Sequence, residues 1–212
     1  MTLKTDTELS AVNSILGSIG QAPVTSINAS NPQTAFIKNI LDECILEVLN
    51  EGWHFNIEYH YELVPNVNDE ILISEDMLRV DIHDDNIYRS EDIVRRNGKL
   101  YDLVDHTYTF TDNIEADITW FFPFYPDPTS QVTTVDYIPP VFKRYIIHKA
   151  STRATAQMIS NPQLHQMQAQ QEAISRAACM EYECNQSDAS FFGTPYNNSY
   201  RAYKPYHALL VR

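Results

Sequence analysis

The sequence predicts an α+β fold, in which an α-helical bundle of about four helices carries an inserted antiparallel β domain and an aromatic C-terminal arm. Apolar residues recur every three to four positions near both ends of the chain, as in amphipathic helices. Between about residues 57 and 125 they recur every second position, as in half-buried strands. The same middle part is acidic, because residues 57–127 contain 17 acidic and 5 basic residues. The change in hydrophobic period and the change in charge coincide, which indicates one structural boundary.

The length and composition fit a folded chain with one domain or two small ones. The 212 residues are 43% hydrophobic, which is too apolar for a disordered chain. We expect a helical bundle domain at residues 1–56 and 131–188, an inserted antiparallel β domain at 57–130, and a C-terminal docking arm at 189–212. The apolar runs are too short for a membrane span, and no export signal is recognisable. The three cysteines have neither zinc-site nor redox-motif spacing, which indicates reduced thiols in a cytosol-like compartment.

Four helices are expected, near residues 7–19, 31–52, 140–159 and 162–184. Asn31-Pro32 and Asn161-Pro162 each combine an N-cap residue with a proline suited to the first helical position. Gly52 is a natural helix end, and Trp53 and Phe55 just after it are predicted to be buried at the junction of bundle and sheet. The fourth helix is rich in Gln and Ala but weakly apolar, and such a helix often packs against copies of itself.

Short antiparallel strands are expected in the middle segment. The firmest local signal is Asn97-Gly98, which lies between two alternating runs and supplies the positive φ angles that a tight hairpin requires. Ile71–Ile73 is expected to form another short strand, and Ile118–Phe122 the last one, closed by the prolines that follow.

Residues with catalytic or metal-binding potential have simpler structural explanations. The acidic pairs Glu75-Asp76, Asp84-Asp85 and Glu91-Asp92 could suggest a tail-associated glycan hydrolase, but adjacent side chains on a strand point to opposite faces. The set Asp81, His83 and Asp85 would share one strand face and could accept a metal, although a polar strand end that runs into a turn is the better explanation.

Nucleotide chemistry is not indicated either. The chain has five glycines and lacks both a phosphate-cradling loop and a Gly-x-Ser-x-Gly elbow. We therefore predict no catalytic residues, no metal site and no cofactor.

The C-terminal arm is unlike the rest of the chain. Residues 189–212 contain no acidic residue and carry three basic ones, whereas the whole chain has a formal net charge of −13. Aromatic and basic residues alternate there, a composition typical of protein interfaces and also of single-strand nucleic-acid binding. The sequence is therefore consistent with two interpretations of this segment, a docking arm and a nucleic-acid-binding module. The predicted docking residues are Phe191, Phe192, Tyr196, Tyr200, Arg201, Tyr203, Lys204 and Tyr206.

Four segments of the chain resemble segments of one protein family, and they occur in the same order. The run 13–24 (NSILGSIGQAPV), the helix end EGWHFN at 51–56, the hairpin VRRNGKLYD at 94–102 and the helix start IPPVFKRYI at 138–146 resemble tail tubular protein A of short-tailed, podovirus-type bacteriophages. The resemblance covers about residues 8–185, and its weight comes from the order of the segments, since each alone is a common turn or core pattern.

The resemblance implies a non-enzymatic structural virion protein. In that family the protein is a ring-forming adaptor, a dodecamer, that connects the portal protein to the tail nozzle protein, tail tubular protein B, and forms part of the DNA ejection channel. It also implies a location in the virion tail after assembly in the host cytoplasm, a tail fibre as a further partner, and passage of DNA without sequence-specific binding or membrane contact. An acidic channel surface would repel the phosphates of a passing duplex.

Overall fold

A computed structural model of the protein describes residues 7–28, 31–82, 92–124, 138–159 and 161–186. It confirms an α+β fold with four helices and antiparallel sheets in this part of the chain. The described residues of Met1–Glu51 and Phe122–Glu183 form one compact unit, here called the helical unit. Those of Gly52–Phe121, with residues 184–186, form a second, here called the sheet unit.

The helical unit contains α1 (Glu8–Ser18), α2 (Pro32–Asn50), α3 (Pro140–Met158) and α4, which runs from Pro162 to Gln186. Thr7 caps α1 by accepting the Ser10 N–H. The predicted Asn-Pro starts are confirmed, since the Asn31 side chain accepts the Gln33 N–H and Asn161 accepts those at the start of α4. Asn13 holds the chain after α1 through two hydrogen bonds to the backbone of Val24, of 2.9 and 2.7 Å.

The core of the helical unit is formed by α1, α2 and α3. Each of these helices packs against the other two, and α3 buries Phe142, Tyr145 and Ile146 almost completely. By contrast, α4 has only two fully buried residues among its 25, Ser175 and Cys179. In its second half, the Cys179 Sγ lies 3.6 Å from the Val141 carbonyl and the Tyr182 ring meets Phe142 edge-on.

The sheet unit begins with a short 3₁₀ turn at His54–Asn56 and contains five strands: β1 (Ile57–Leu63), β2 (Met77–Ile82), β3 (Ile93–Arg96), β4 (Lys99–Asp102) and β5 (Ile114–Trp120). The strands β1, β5 and β2 form an antiparallel sheet with β5 in the centre. The strands β3 and β4 form the predicted hairpin, and Asn97 and Gly98 at its tip have φ angles of +53° and +72°. Buried residues from all these strands form one core, with Ile71, Ile73 and Phe110 from the connections.

Two strand predictions need correction. The segment Ile71–Ile73 is no strand: it buries its two isoleucines as expected, but near it the structure has only single bridges, Glu70 to Thr109 and Leu72 to Lys99. The last strand begins at Ile114 rather than Ile118 and ends at Trp120. The strand begins with an alternating segment in which Glu115 and Asp117 point outward, and this alternation precedes the apolar run at 118–122.

Candidate interaction surfaces

A ladder of three carboxylates, two on α2 and one at its C-terminal cap, binds three basic residues of α3 and α4. Glu43, Glu47 and Glu51 follow one another at four-residue spacing, which places them on one side of the helix. Arg153 donates from its Nη2 atom to both carboxylate oxygens of Glu47, at 2.7 and 2.8 Å, and its Nη1 lies 3.4 Å from Glu43. Lys149 lies 3.1 Å from Glu47. The ladder thus joins α2 to α3.

The last step of the ladder joins α4 to the bundle. The Arg176 Nη1 atom lies 2.9 Å from Glu51 and donates to the Tyr145 hydroxyl at 2.8 Å. The hydrogen bond to Glu51, and next that to Tyr145, raises the pKa of Arg176. Burial alone would raise the pKa of Glu47, but the hydrogen bonds from Arg153 and Lys149 outweigh it, so this pKa is lowered. The four-residue spacing of the three acids, and of Lys149 and Arg153, is visible in the sequence, but it does not show which base each acid meets.

One face of the three-stranded sheet is acidic. Along β5, Glu115 and Asp117 alternate with buried apolar residues, so they lie on the face opposite the core. Glu62 of β1 is directly opposite Glu115, and Asp81 of β2 is directly opposite Asp117. Like charges in such cross-strand pairs oppose sheet formation. The fold therefore places four carboxylates together on this surface, here called the acidic sheet face.

Nearby donors hold these four carboxylates in structural roles. Arg79 binds Asp81 at 2.8 Å, and Asn113 donates to Glu62 at 2.6 Å. The backbone N–H of His60 donates to Asp117 at 3.2 Å, and its ring Nδ1 lies 3.6 Å from Glu115. His60 has a positive φ of +56° and interrupts the β1 register. Such a bulge on an edge strand discourages pairing with a further strand.

The candidate catalytic and metal-binding groups do not converge in the described residues. Glu75 and Asp76 are exposed in the turn before β2. No group of three or more His, Cys, Asp or Glu side chains in the described part of the chain could hold a metal ion. Asp81 lies on β2, whereas His83 and Asp85 fall outside the described residues. Burial raises the pKa of both Cys44 and Cys179 to about 11, so neither thiol is a ready nucleophile at neutral pH.

Of the predicted junction residues, Trp53 is 4% exposed and Phe55 is half-buried. The Trp53 backbone N–H donates to the Asn56 side chain at 2.8 Å, and Asn56 in turn donates to the Trp120 carbonyl. These contacts lie within the sheet unit, and the junction role stays a prediction. The eight docking residues of the arm all lie outside the described residues: Phe191, Phe192, Tyr196, Tyr200, Arg201, Tyr203, Lys204 and Tyr206.

Comparison with known proteins identifies the family. The model of the tail tubular protein family matches residues 9–189, which is most of the chain. The chain belongs to the tail tubular protein family. It is a structural component of a bacteriophage tail, as the resemblance implied.

A curated relative agrees with this assignment. Tail tubular protein A of Klebsiella phage KP34 is 30% identical over 112 residues, which cover 52% of this chain and 57% of that protein. The matched region thus spans little more than half of either protein. None of the described helices of this tail protein is long and apolar enough to cross a membrane.

Proposed function

We propose that this tail protein is a ring-forming adaptor, a dodecamer, that connects the portal protein to the tail nozzle and lines part of the DNA ejection channel, without catalysing a reaction. Membership of the tail tubular protein family carries the proposal. The name of the KP34 relative, tail tubular protein A, supports the tubular arrangement.

The acidic sheet face supports a role in DNA passage. Double-stranded DNA carries about one negative charge per 1.7 Å of its length, so four clustered carboxylates would repel it rather than bind it. Glu62 faces Glu115 and Asp81 faces Asp117 across the strands, and local donors such as Arg79 and Asn113 offset part of the repulsion, so the four acids can stay on one face. DNA would slide past such a surface without sticking.

Electron microscopy of negatively stained samples tests the adaptor proposal. The purified full chain is imaged alone and mixed with portal protein. We expect rings with a central hole, stacked on the portal in the mixture. Only monomers in both samples would contradict the adaptor role.

The carboxylates allow a test of the non-enzymatic part of the proposal. Substitution of Glu75, Asp76 or Glu115 by the matching amide should leave ring formation largely intact, because all three are exposed. A polysaccharide-cleaving activity that one of these substitutions abolished would contradict it.

The C-terminal residues 189–212 are proposed to dock on protein. They carry three basic residues and no acidic one in a chain of net charge −13, so they can approach an acidic neighbour that the rest of the chain would repel. Deletion of 189–212 should leave a folded protein that assembles or joins the portal poorly. Unchanged assembly would contradict the docking role, and tight, salt-sensitive binding of single-stranded DNA by the full chain, lost on deletion, would favour the nucleic-acid-binding alternative.

A further inference from the structure

The helical unit exposes two apolar surfaces on different helices. On α2, the residues turned away from the core include Phe36, which is 40% exposed, and Leu46, which is 44% exposed. With Asn39, Glu43 and Asn50 they follow one line along the helix at three- and four-residue spacing. We call these five residues the α2 stripe. Its one charged residue, Glu43, is paired with Arg153.

The second surface is the side of α4 opposite its two buried residues. Met167, Ile174 and Met180 are 62%, 63% and 48% exposed there. From Gln163 to Met180 the positions on this side carry no charge, and Glu181, four residues after Ala177, is the first charged residue on it. We call this set the α4 outer face: Gln163, Gln166, Met167, Gln170, Ala173, Ile174, Ala177 and Met180.

In the part of the chain that the structure describes, the side chains of the α4 outer face are largely exposed. Arg176, Cys179 and Tyr182 contact the other helices and lie on other sides of α4. Single exposed apolar residues are common on protein surfaces, but three on an uncharged helix face about 27 Å long are typical of an interface.

The charge of the chain indicates what covers this face. Residues 57–127 carry 17 acidic and 5 basic residues, which account for −12 of the net −13, so two copies repel one another chiefly where these segments approach. They can meet with least repulsion through surfaces without unpaired charge, and the α2 stripe and the α4 outer face both have this property. The small side chains of Ala173 and Ala177 also leave room for larger residues of a facing helix.

A closed ring of identical copies needs two different surfaces on each copy, because its contacts join one patch to another around the circle. We propose that the α4 outer face of one copy packs against the α2 stripe of the next. The proposed contact depends on the proposed ring, and the two surfaces are those that would close it.

Two single substitutions and their mixture test the contact. Ile174→Glu places a charge in the α4 outer face, and Leu46→Glu places one in the α2 stripe. Gln157→Glu is the matched control, since it adds the same charge at an exposed position of α3 outside both surfaces. Assembly is followed by sedimentation and native mass spectrometry, with portal added, and circular dichroism checks that each variant is folded.

We expect the control to form rings like the parent and each of the two variants to associate roughly tenfold or more weakly, because burying an unpaired charge is costly. An equimolar mixture of the two variants should form heterodimers but no rings. Each variant retains one intact surface, so only the intact α4 outer face of the Leu46→Glu variant can bind the intact α2 stripe of the other.

The other outcomes contradict the proposal in distinguishable ways. Rings from either variant alone would show that its surface is not the contact. Dimers of the Leu46→Glu variant by itself would indicate that α4 packs on α4 instead. If the chain's own residues 189–212 cover the α4 outer face instead, the Ile174→Glu variant should still form rings. A parent protein that forms no ring, alone or on the portal, would contradict the adaptor role itself and the contact with it.

Discussion

The helical unit and the sheet unit use their acidic residues in opposite ways. In the helical unit, Glu47 and Glu51 are matched by basic residues of α3 and α4, so charge joins the helices. In the sheet unit, Glu62 and Glu115 are directly opposite each other, so charge opposes pairing of the strands. The ladder thus adds to the cohesion of the helical unit, whereas the acidic sheet face combines cross-strand repulsion with local pairs such as that of Arg79 with Asp81.

The largest effect is expected at Trp53, because it is the large side chain that begins the sheet unit and is almost fully buried. Trp53→Ala should lower the free energy of unfolding by about 3 to 5 kcal/mol, as large-to-small core substitutions do. Phe55→Ala is the control and should cost less, because Phe55 is only half-buried. Urea unfolding followed by circular dichroism measures both, and equal stability of Trp53→Ala and the parent would refute the prediction.

Gly52 and Gly17 differ in how well their backbone positions would accept a Cβ atom. Gly52, at the end of α2, has a φ of +73°, and a Cβ there would lie 3.3 Å from the Ile57 Cδ1 atom. Gly52→Ala should therefore destabilise the protein by about 1 to 2 kcal/mol. Gly17→Ala lies within α1 with open space around it and should stabilise by about 0.5 to 1 kcal/mol. Thermal unfolding of both variants would show shifts of opposite sign, and shifts of the same sign would contradict this explanation.

The ladder should make the helical unit sensitive to acid. The pKa of Glu47 is lowered in the folded state, so its stabilising contribution is present above the unfolded pKa of about 4.5 and is lost as the pH falls through the folded value. Glu47→Gln should cost at most about 1 kcal/mol at pH 7, since the pair is partly exposed and screened by water. This difference from the parent should vanish in acid. A cost that persists at pH 3 would assign the effect to packing instead.

The smallest effect, of opposite sign, is expected in the acidic sheet face. Glu115→Gln removes one of two directly opposed carboxylates and should stabilise the protein by a few tenths of a kcal/mol, up to about 1. Added salt should reduce this gain, because salt screens the repulsion in the parent. Thr111→Ala, an exposed position outside the strands, is the control. A loss of stability in Glu115→Gln would mean that the contact with His60 outweighs the repulsion.

Local patterns in the sequence predicted most of the secondary structure. All four helices were placed to within about two residues, because Asn-Pro starts and Gly52 act through the backbone next to them. The Asn97-Gly98 turn was predictable for the same reason. Ile71–Ile73 and the start of β5 were wrong because strand pairing depends on a partner elsewhere in the chain.

The sequence by itself determined the helices, the tight turn, the acidic middle segment and the family resemblance. All of these depend on near neighbours or on composition. Only the tertiary structure decided which carboxylates meet. Glu47 lies 106 positions from Arg153 and is paired with it, whereas Glu62 lies 53 positions from Glu115 and opposes it. Their charges look alike in the sequence, and the register of helices and strands, set by packing of apolar side chains, makes one contact attractive and the other repulsive.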